Sequence, residues 1–348
     1  MPKFQLNGLL TRIKNFYAGK IRPLLSRLPD FFLNFISSWW HVLLIGLAAV
    51  IFLYYPLGGL LINNIDKNTS YEINNNKPEQ SCTVDMMAFI INREVNEKLW
   101  TPNLPFFFPS YFLDNMPAFQ LGMISSVSDI SRSFAARVEK SISEGNRLHL
   151  KKAAELLKYP GTVWLFSPGD KLLPAPSANT QYRKARKQLI KYNRELAAEK
   201  EIFYKSPSDL AYILAKSSRS LWNSAGKLEA HIRENSSSWT DFQADDVFYY
   251  HQGRAYAYFL LYKALGCDYK DVIVDAEQYQ NWTALLKALE NAALIDPFII
   301  RNGELSSSSA PNHLSYLQSY LLKAQSLMQK IAQNLDTKQQ PKDIVHAD

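Results

Sequence analysis

The sequence predicts an all-α fold, a single N-terminal transmembrane helix followed by a soluble domain of about seven to nine helices. Three observations lead there. Between Asp30 and Asp66 the chain has no Asp, Glu, Lys or Arg. Beyond Asp66, apolar residues recur at helical spacing in one segment after another, separated by Pro, Gly, Asn and Ser. Neither an internal repeat nor an alternating strand series interrupts that pattern.

The span is read over 39–62. The 21 residues from Val42 to Ile62 rise about 31 Å as a helix, the thickness of a bilayer's hydrocarbon. Trp39 and Trp40 lie at one end and Tyr54 and Tyr55 toward the other, as amphipathic rings do at the two interfaces. A buried helix of a soluble core is the rival reading, although such a helix usually keeps a polar face. The mean hydropathy of −0.21 makes this stretch an exception in a soluble composition.

Six basic residues (Lys3, Arg12, Lys14, Lys20, Arg22, Arg27) precede the span. By the positive-inside rule the N-terminus is cytoplasmic and the bulk of the chain is outside. The apolar run exceeds a signal-peptide core and no small-x-small site follows it, which favours an uncleaved anchor. In a bacterium this is an inner-membrane protein with a periplasmic domain.

Of 39 basic and 32 acidic residues in 348, these six and the two acids Asp30 and Asp66 fall before Lys67, leaving 33 basic and 30 acidic residues for the rest. So balanced a domain gives no support for nucleic-acid binding.

Residues 1–38 are expected to form a basic amphipathic segment on the inner leaflet, with Phe4, Leu9, Ile13 and Phe16 at helical spacing. A polar, Asn-rich linker is read over 63–81, a helical domain over 82–335 and a polar tail over 336–348. Within the domain, Val84, Met87, Ile91, Val95 and Leu99 form the first helical stripe. The stretch 101–119 carries four prolines among six aromatic residues. Proline rules out a regular helix there and the aromatics rule out a solvated loop, so the segment either covers the core or exposes a groove.

Helices follow over 119–142 and 149–158, up to Tyr159-Pro160-Gly161, and again over 180–204. Ser206-Pro207-Ser208-Asp209 is a capped start for a helix reaching Glu234. The segment 241–266 is apolar nearly all round and is the central helix, with Gly266 read as its C′ residue. Helices over 276–295 and 312–334 complete the set.

Phosphate loops, dinucleotide fingerprints, HExxH and GxSxG elbows are missing from the sequence. No cofactor and no metal is expected, because Cys82 and Cys267 belong to no ligand pattern. The two cysteines either close one long disulfide loop or stay as separate buried thiols.

Asp245, Asp246, His251 and Arg254 on the central helix form the best polar cluster, with Arg93 or Glu94 as partners from elsewhere. The spacing favours structural hydrogen bonding. Asp246 and His251 are five residues apart and share no helix face, and Asp246 and Arg254 are two turns apart. Phe107, Tyr111 and Phe119, with Asn115 beside the packed aromatics, are the candidate interaction residues.

Several phrases carry a family resemblance, among them NREVNEKLWTPNLPFFFP (92–109), LDNMPAFQLG (113–122), YPGTVW (159–164) and ADDVFYYHQGRAYAYFLLYKALG (244–266). With them the chain resembles a proteobacterial domain-of-unknown-function family of single-pass inner-membrane proteins. The resemblance implies a Gram-negative inner-membrane anchor and a periplasmic domain, and supplies no activity or catalytic residue. The expected function is a membrane-tethered scaffold or adaptor that binds a protein or envelope polymer. The alternative is an envelope-acting hydrolase built on the Asp/His/Arg cluster.

Overall fold

The computed structural model describes residues 15, 30–73, 80–112, 114–137, 144–165, 174–198, 205–235, 241, 243–297, 299–302 and 312–337. Most of the segment expected over 1–38 and of the tail expected over 336–348 lies outside them. The chain divides into two compact units, Met1–Gly58 and Gly59–Asp348.

Helix α1 (Asp30–Ala49) runs through a π-helical stretch (Val50–Tyr54) into α2 (Tyr55–Ile62). Trp39–Ile62 is long and apolar enough to cross a membrane, with a mean hydropathy of 2.1 and only 6% of its span window buried. A core helix of a soluble protein would be covered, whereas 39–54 is exposed throughout and only Gly59 in the last turns is buried.

The second unit is all-α, with no strand among its described residues. Its helices are α3 (Cys82–Asn92), α4 (Asn115–Arg137), α5 (Glu144–Leu156), α6 (Ala178–Ala198) and α7 (Pro207–Asn235). Then come α8 (Ala244–Asp268), the short α9 (Lys270–Asp275), α10 (Tyr279–Ala293) and α11 (His313–Thr337). The central helix is α8, with Phe248, Tyr256, Tyr258 and Tyr262 all fully buried. Around it lie α3, α4 and α10, while α7 packs along α11 and α5 rides on α6.

Local chemistry sets the helix starts. Pro207 opens α7, and Ser206 Oγ accepts from the Asp209 N–H at 3.1 Å. Pro117 sits in the first turn of α4, where a missing N–H breaks no helical bond. At the start of α3, Asp268 Oδ1 accepts from the Cys82 N–H at 2.8 Å, and its Oδ2 accepts from the Thr83 N–H at 3.0 Å and from Ser81 Oγ at 2.7 Å. A carboxylate suits the positive end of a helix. The same joint is closed covalently by a Cys82–Cys267 disulfide across 185 residues of sequence.

Helices α4 and α8 touch backbone to backbone. A Cβ on Gly122 would strike the Tyr250 carbonyl, and one on Gly253 would strike that of Phe119. Gly266, read from sequence as a helix stop, lies inside α8, where the Trp282 indole packs so close that a Cβ would press on it.

The linker expected over 63–81 is docked through its first part. Asp66 accepts from the Tyr71 hydroxyl at 2.9 Å, Tyr256 donates to the Asn68 carbonyl at 2.7 Å and Lys67 pairs with Asp296 at 2.6 Å. Ile65, Tyr71 and Ile73 pack on the core. Residues 63–73 thus pack as part of the domain, and 74–79 of the expected linker lie outside the described residues.

Candidate functional site

The polar residues singled out from sequence separate into three places. Arg93 and Glu94 lie in a π-helical turn (Arg93–Glu97) that ends α3. That turn brings neighbouring side chains together, and Arg93 Nε donates to Glu94 Oε1 at 2.7 Å. Arg93 also donates to the Tyr256 hydroxyl at 2.8 Å and stacks over the Tyr71 and Tyr256 rings. Gln120 donates to Glu94 Oε2 at 3.1 Å, and its own oxygen takes the Thr101 N–H at 2.9 Å. Burial alone would lower the Arg93 pKa, but Glu94 and Tyr256 outweigh it and hold the cation firmly protonated. The network is closed and mutually satisfied, which is structural chemistry.

Arg254 turns the other way, toward a residue that sequence reasoning missed. It donates to Asp129 Oδ2 on α4 at 2.8 Å and to Ser220 Oγ on α7 at 2.6 Å, while Tyr258 donates to the same carboxylate at 3.1 Å. Arg254 therefore ties α4, α7 and α8 together. Asp129 gave no signal, being one acid among polar residues on an amphipathic helix.

Asp246 and His251 do meet at a cavity, of about 690 Å³. Asp114 just before α4 lines it with Pro117 and Leu121 of that helix, the last turns of α7 contribute Lys227, His231 and Glu234, and the first turns of α8 contribute Asp246, Val247, Tyr250 and His251. Because the cavity wraps the first turns of α8, residues five apart both open onto it, against the expectation from spacing. Asp245 lies beside it, and its carboxyl accepts from the Asp246 N–H at 3.1 Å.

Burial pushes the Asp246 carboxyl up to about 6, with Asp114 and Asp245 adding like-charge repulsion. Asp245 is raised as well, by burial and then by Asp114. Burial pulls His251 down to about 3, assisted by Arg254 and Lys227, so its imidazole is neutral. His251 is only 3% exposed, and its Nδ1 has no hydrogen-bond partner among the described residues. At the rim, His231 pairs with Asp241 at 2.9 Å, and Asn302 donates to that carboxylate at 3.2 Å.

A family model described as "uncharacterized protein conserved in bacteria (DUF2333)" matches residues 103–236 and 223–337. The chain belongs to that family. The match runs from the aromatic stretch to the end of α11, so it contains Asp114, Lys227, Asp246 and His251, while Arg93 and Glu94 fall before it. Comparison with curated proteins and with solved structures finds no match.

The interaction residues expected from sequence also separate. Phe119 is in the core at 1% exposure, packed against Tyr256, and offers no contact surface. Asn115 is half-buried in the first turn of α4. Phe107 and Tyr111 are exposed, as is Phe106, and the Phe107 ring meets Trp164 edge-on at 5.9 Å. The Pro/aromatic stretch is thus core at its ends and surface in its middle.

Among the described residues, Cys82, Cys267 and Asp268 form the one close group of metal-ligand atoms, and their disulfide leaves Asp268 alone.

Proposed function

We propose that the chain is a single-pass bacterial inner-membrane protein whose helical domain faces the periplasm and serves as a scaffold or adaptor. The observation that carries this reading is the aromatic strip of Phe106, Phe107, Tyr111 and Trp164, exposed beside otherwise well-buried helices. Contiguous exposed aromatic surface is rarely idle on a soluble domain. The basic residues before the span support an N-terminus in the cytoplasm. The Cys82–Cys267 disulfide supports an oxidising compartment for the domain. The partner on this reading is a protein or envelope polymer.

Photo-crosslinkers at Phe107 and Tyr111 in intact cells test the strip, with Phe119 as a buried control. Discrete adducts to one envelope component from the two exposed positions, and none from Phe119, are expected. Silence at both exposed positions rejects the strip as the contact. Alkaline phosphatase fused after residue 80 is expected to be active, and an inactive fusion there reverses the orientation.

One feature favours the second reading, an envelope-acting hydrolase: Asp246 sits in an open cavity with its carboxyl pushed up to about 6, in the range of a general acid. Against it, the Arg93, Glu94 and Arg254 side chains that this reading calls on are engaged elsewhere, Arg93 with Glu94 at 2.7 Å and Arg254 with Asp129 at 2.8 Å.

A further inference from the structure

We infer that the helical domain is seated against the lipid surface at the Ile62 end of the span, with Leu99, Leu294 and Ile299 entering the phospholipid head-group layer. The inference rests on reading 39–62 as membrane-spanning. It depends neither on which compartment the domain occupies nor on the aromatic strip.

The junction is short and folded. Ile62, the last residue of the span, belongs to the same compact unit as the domain. The Asn63 N–H donates to the Gly59 carbonyl at 2.8 Å, and the Asn64 N–H turns back onto the Ile62 carbonyl at 2.8 Å. Even fully extended, the two steps from Ile62 to Asn64 would cover at most about 7 Å. The head-group layer on one side of a bilayer is about 5–8 Å deep. Asn64 therefore lies within that layer or at its outer edge.

The domain grips the chain at this place. Lys98, just past the π-helical turn, donates to the Asn64 carbonyl at 3.0 Å. Lys67 donates to the Ile295 carbonyl at 3.4 Å and pairs with Asp296 at 2.6 Å, just beyond α10. Between them Ile65 packs on the core and Asp66 accepts from the Asn68 N–H at 2.9 Å. No unbonded stretch is left between span and domain, so the domain cannot swing away from the leaflet.

Two separate parts of the domain are thus fixed to the first residues past the span, and each carries exposed aliphatic side chains. Leu99 adjoins Lys98 in the first, and Leu294 and Ile299 flank Ile295 and Asp296 in the second. Exposed singly to water such side chains are ordinary. Held this close to the hydrocarbon edge, they meet the head-group and acyl boundary, where apolar side chains gain by burial.

Fluorescence quenching tests the seating in the full chain, in phosphatidylcholine nanodiscs doped with a lipid that carries a nitroxide on its head group. The native cysteines are tied up in their disulfide. Leu61→Cys, Leu99→Cys, Leu294→Cys, Ile299→Cys and Trp222→Cys can therefore each carry one bimane label. Leu61, exposed in the last turn of the span, and Trp222, exposed on α7, are the controls. Quenching of at least two-fold is expected at Leu61 and at least 1.5-fold at Leu99, Leu294 and Ile299, with Trp222 unchanged. A Gly-Ser insert of about twelve residues between Asn63 and Asn64 gives the domain roughly 20 Å of slack. It is expected to relieve the three domain positions and leave Leu61 quenched.

An unquenched Leu61 removes the spanning reading itself, and the inference with it. With Leu61 quenched, Leu99 at the level of Trp222, or both Leu294 and Ile299 at that level, overturns the seating alone. Quenching of Trp222 equal to theirs, or quenching that survives the insert, also overturns it.

Discussion

Gly122 on α4 and Gly253 on α8 each stand where the other helix's backbone passes, so neither tolerates a Cβ without pushing the helices apart. The same crossing sets the cavity, because Leu121, next to Gly122, and His251, two residues before Gly253, both line it. Gly122→Ala or Gly253→Ala is expected to destabilise the fold by about 2–4 kcal/mol, through overpacking against backbone that cannot yield. Gly226→Ala is the control, since a Cβ there meets nothing and removes a flexible residue from α7. Thermal melts should separate them, with Gly226→Ala at or slightly above wild type. A wild-type melting temperature for both crossing variants would falsify the close approach.

Arg93 and Glu94 make the second prediction. Residues i and i+1 diverge on an α-helix, and the π-helical turn lets their side chains close on each other at 2.7 Å. Arg93→Ala strands a carboxylate that is 1% exposed, which costs about 3–5 kcal/mol for a broken buried pair. Glu94→Gln keeps shape and much of the hydrogen bonding, and Arg93 retains Asp66 at 3.6 Å. Urea denaturation should therefore rank Arg93→Ala well below Glu94→Gln. Equal midpoints would mean that the pair is not the joint described.

Much of the helix series was legible because each helix writes its own apolar stripe, and the all-round burial of α8 was plain in Tyr256, Tyr258 and Tyr262. What was not legible depends on chain crossings. Asp114 and Asp246 meet only because Gly122 and Gly253 let their helices touch. Asp129 receives Arg254 from a helix 125 residues away. The docking of 63–73 was masked by Asn-rich polarity, although Ile65, Tyr71 and Ile73 supplied apolar anchors. Asp114 had a signal, a polar residue among packed aromatics, but nothing in sequence paired it with the central helix. The Arg93–Glu94 contact was invisible because helical periodicity assumes α geometry.

The disulfide and the Asp268 cap hold the same joint between the start of α3 and the end of α8. Closing 185 residues is worth about 5 kcal/mol in the chain-entropy model. Cys82→Ser with Cys267→Ser is expected to lower the urea midpoint strongly, and a reductant should then have no further effect. Asp268→Ala removes the cap and adds a loss of about 1–2 kcal/mol. Because both act on one joint, the combined loss should differ from the sum. An unchanged midpoint on reduction of the wild-type protein would contradict the cross-link's role.

Asp246 sets the last prediction, a pH dependence of known sign. Its folded-state pKa of about 6 lies above the ordinary aspartate value of about 3.9. Between those values the native state holds a proton that the unfolded state has released, so stability falls as pH rises through the window. The contribution is fully present below about pH 4 and gone above about pH 6. Asparagine cannot ionise, so the stability of Asp246→Asn relative to wild type should grow from pH 4 to pH 7 and then level off. Water screens this half-buried group, which holds the gain to about 1 kcal/mol. Asp245, also raised, acts in the same direction in both proteins. His251, lowered to about 3, works oppositely, since the unfolded state alone takes up its proton as pH falls below about 6.5. To first order both leave the difference alone. Urea midpoints for the two proteins at pH 4, 5, 6 and 7.5 decide it: a difference that is flat, or that shrinks as pH rises, means that Asp246 is not held against its neighbours in the cavity.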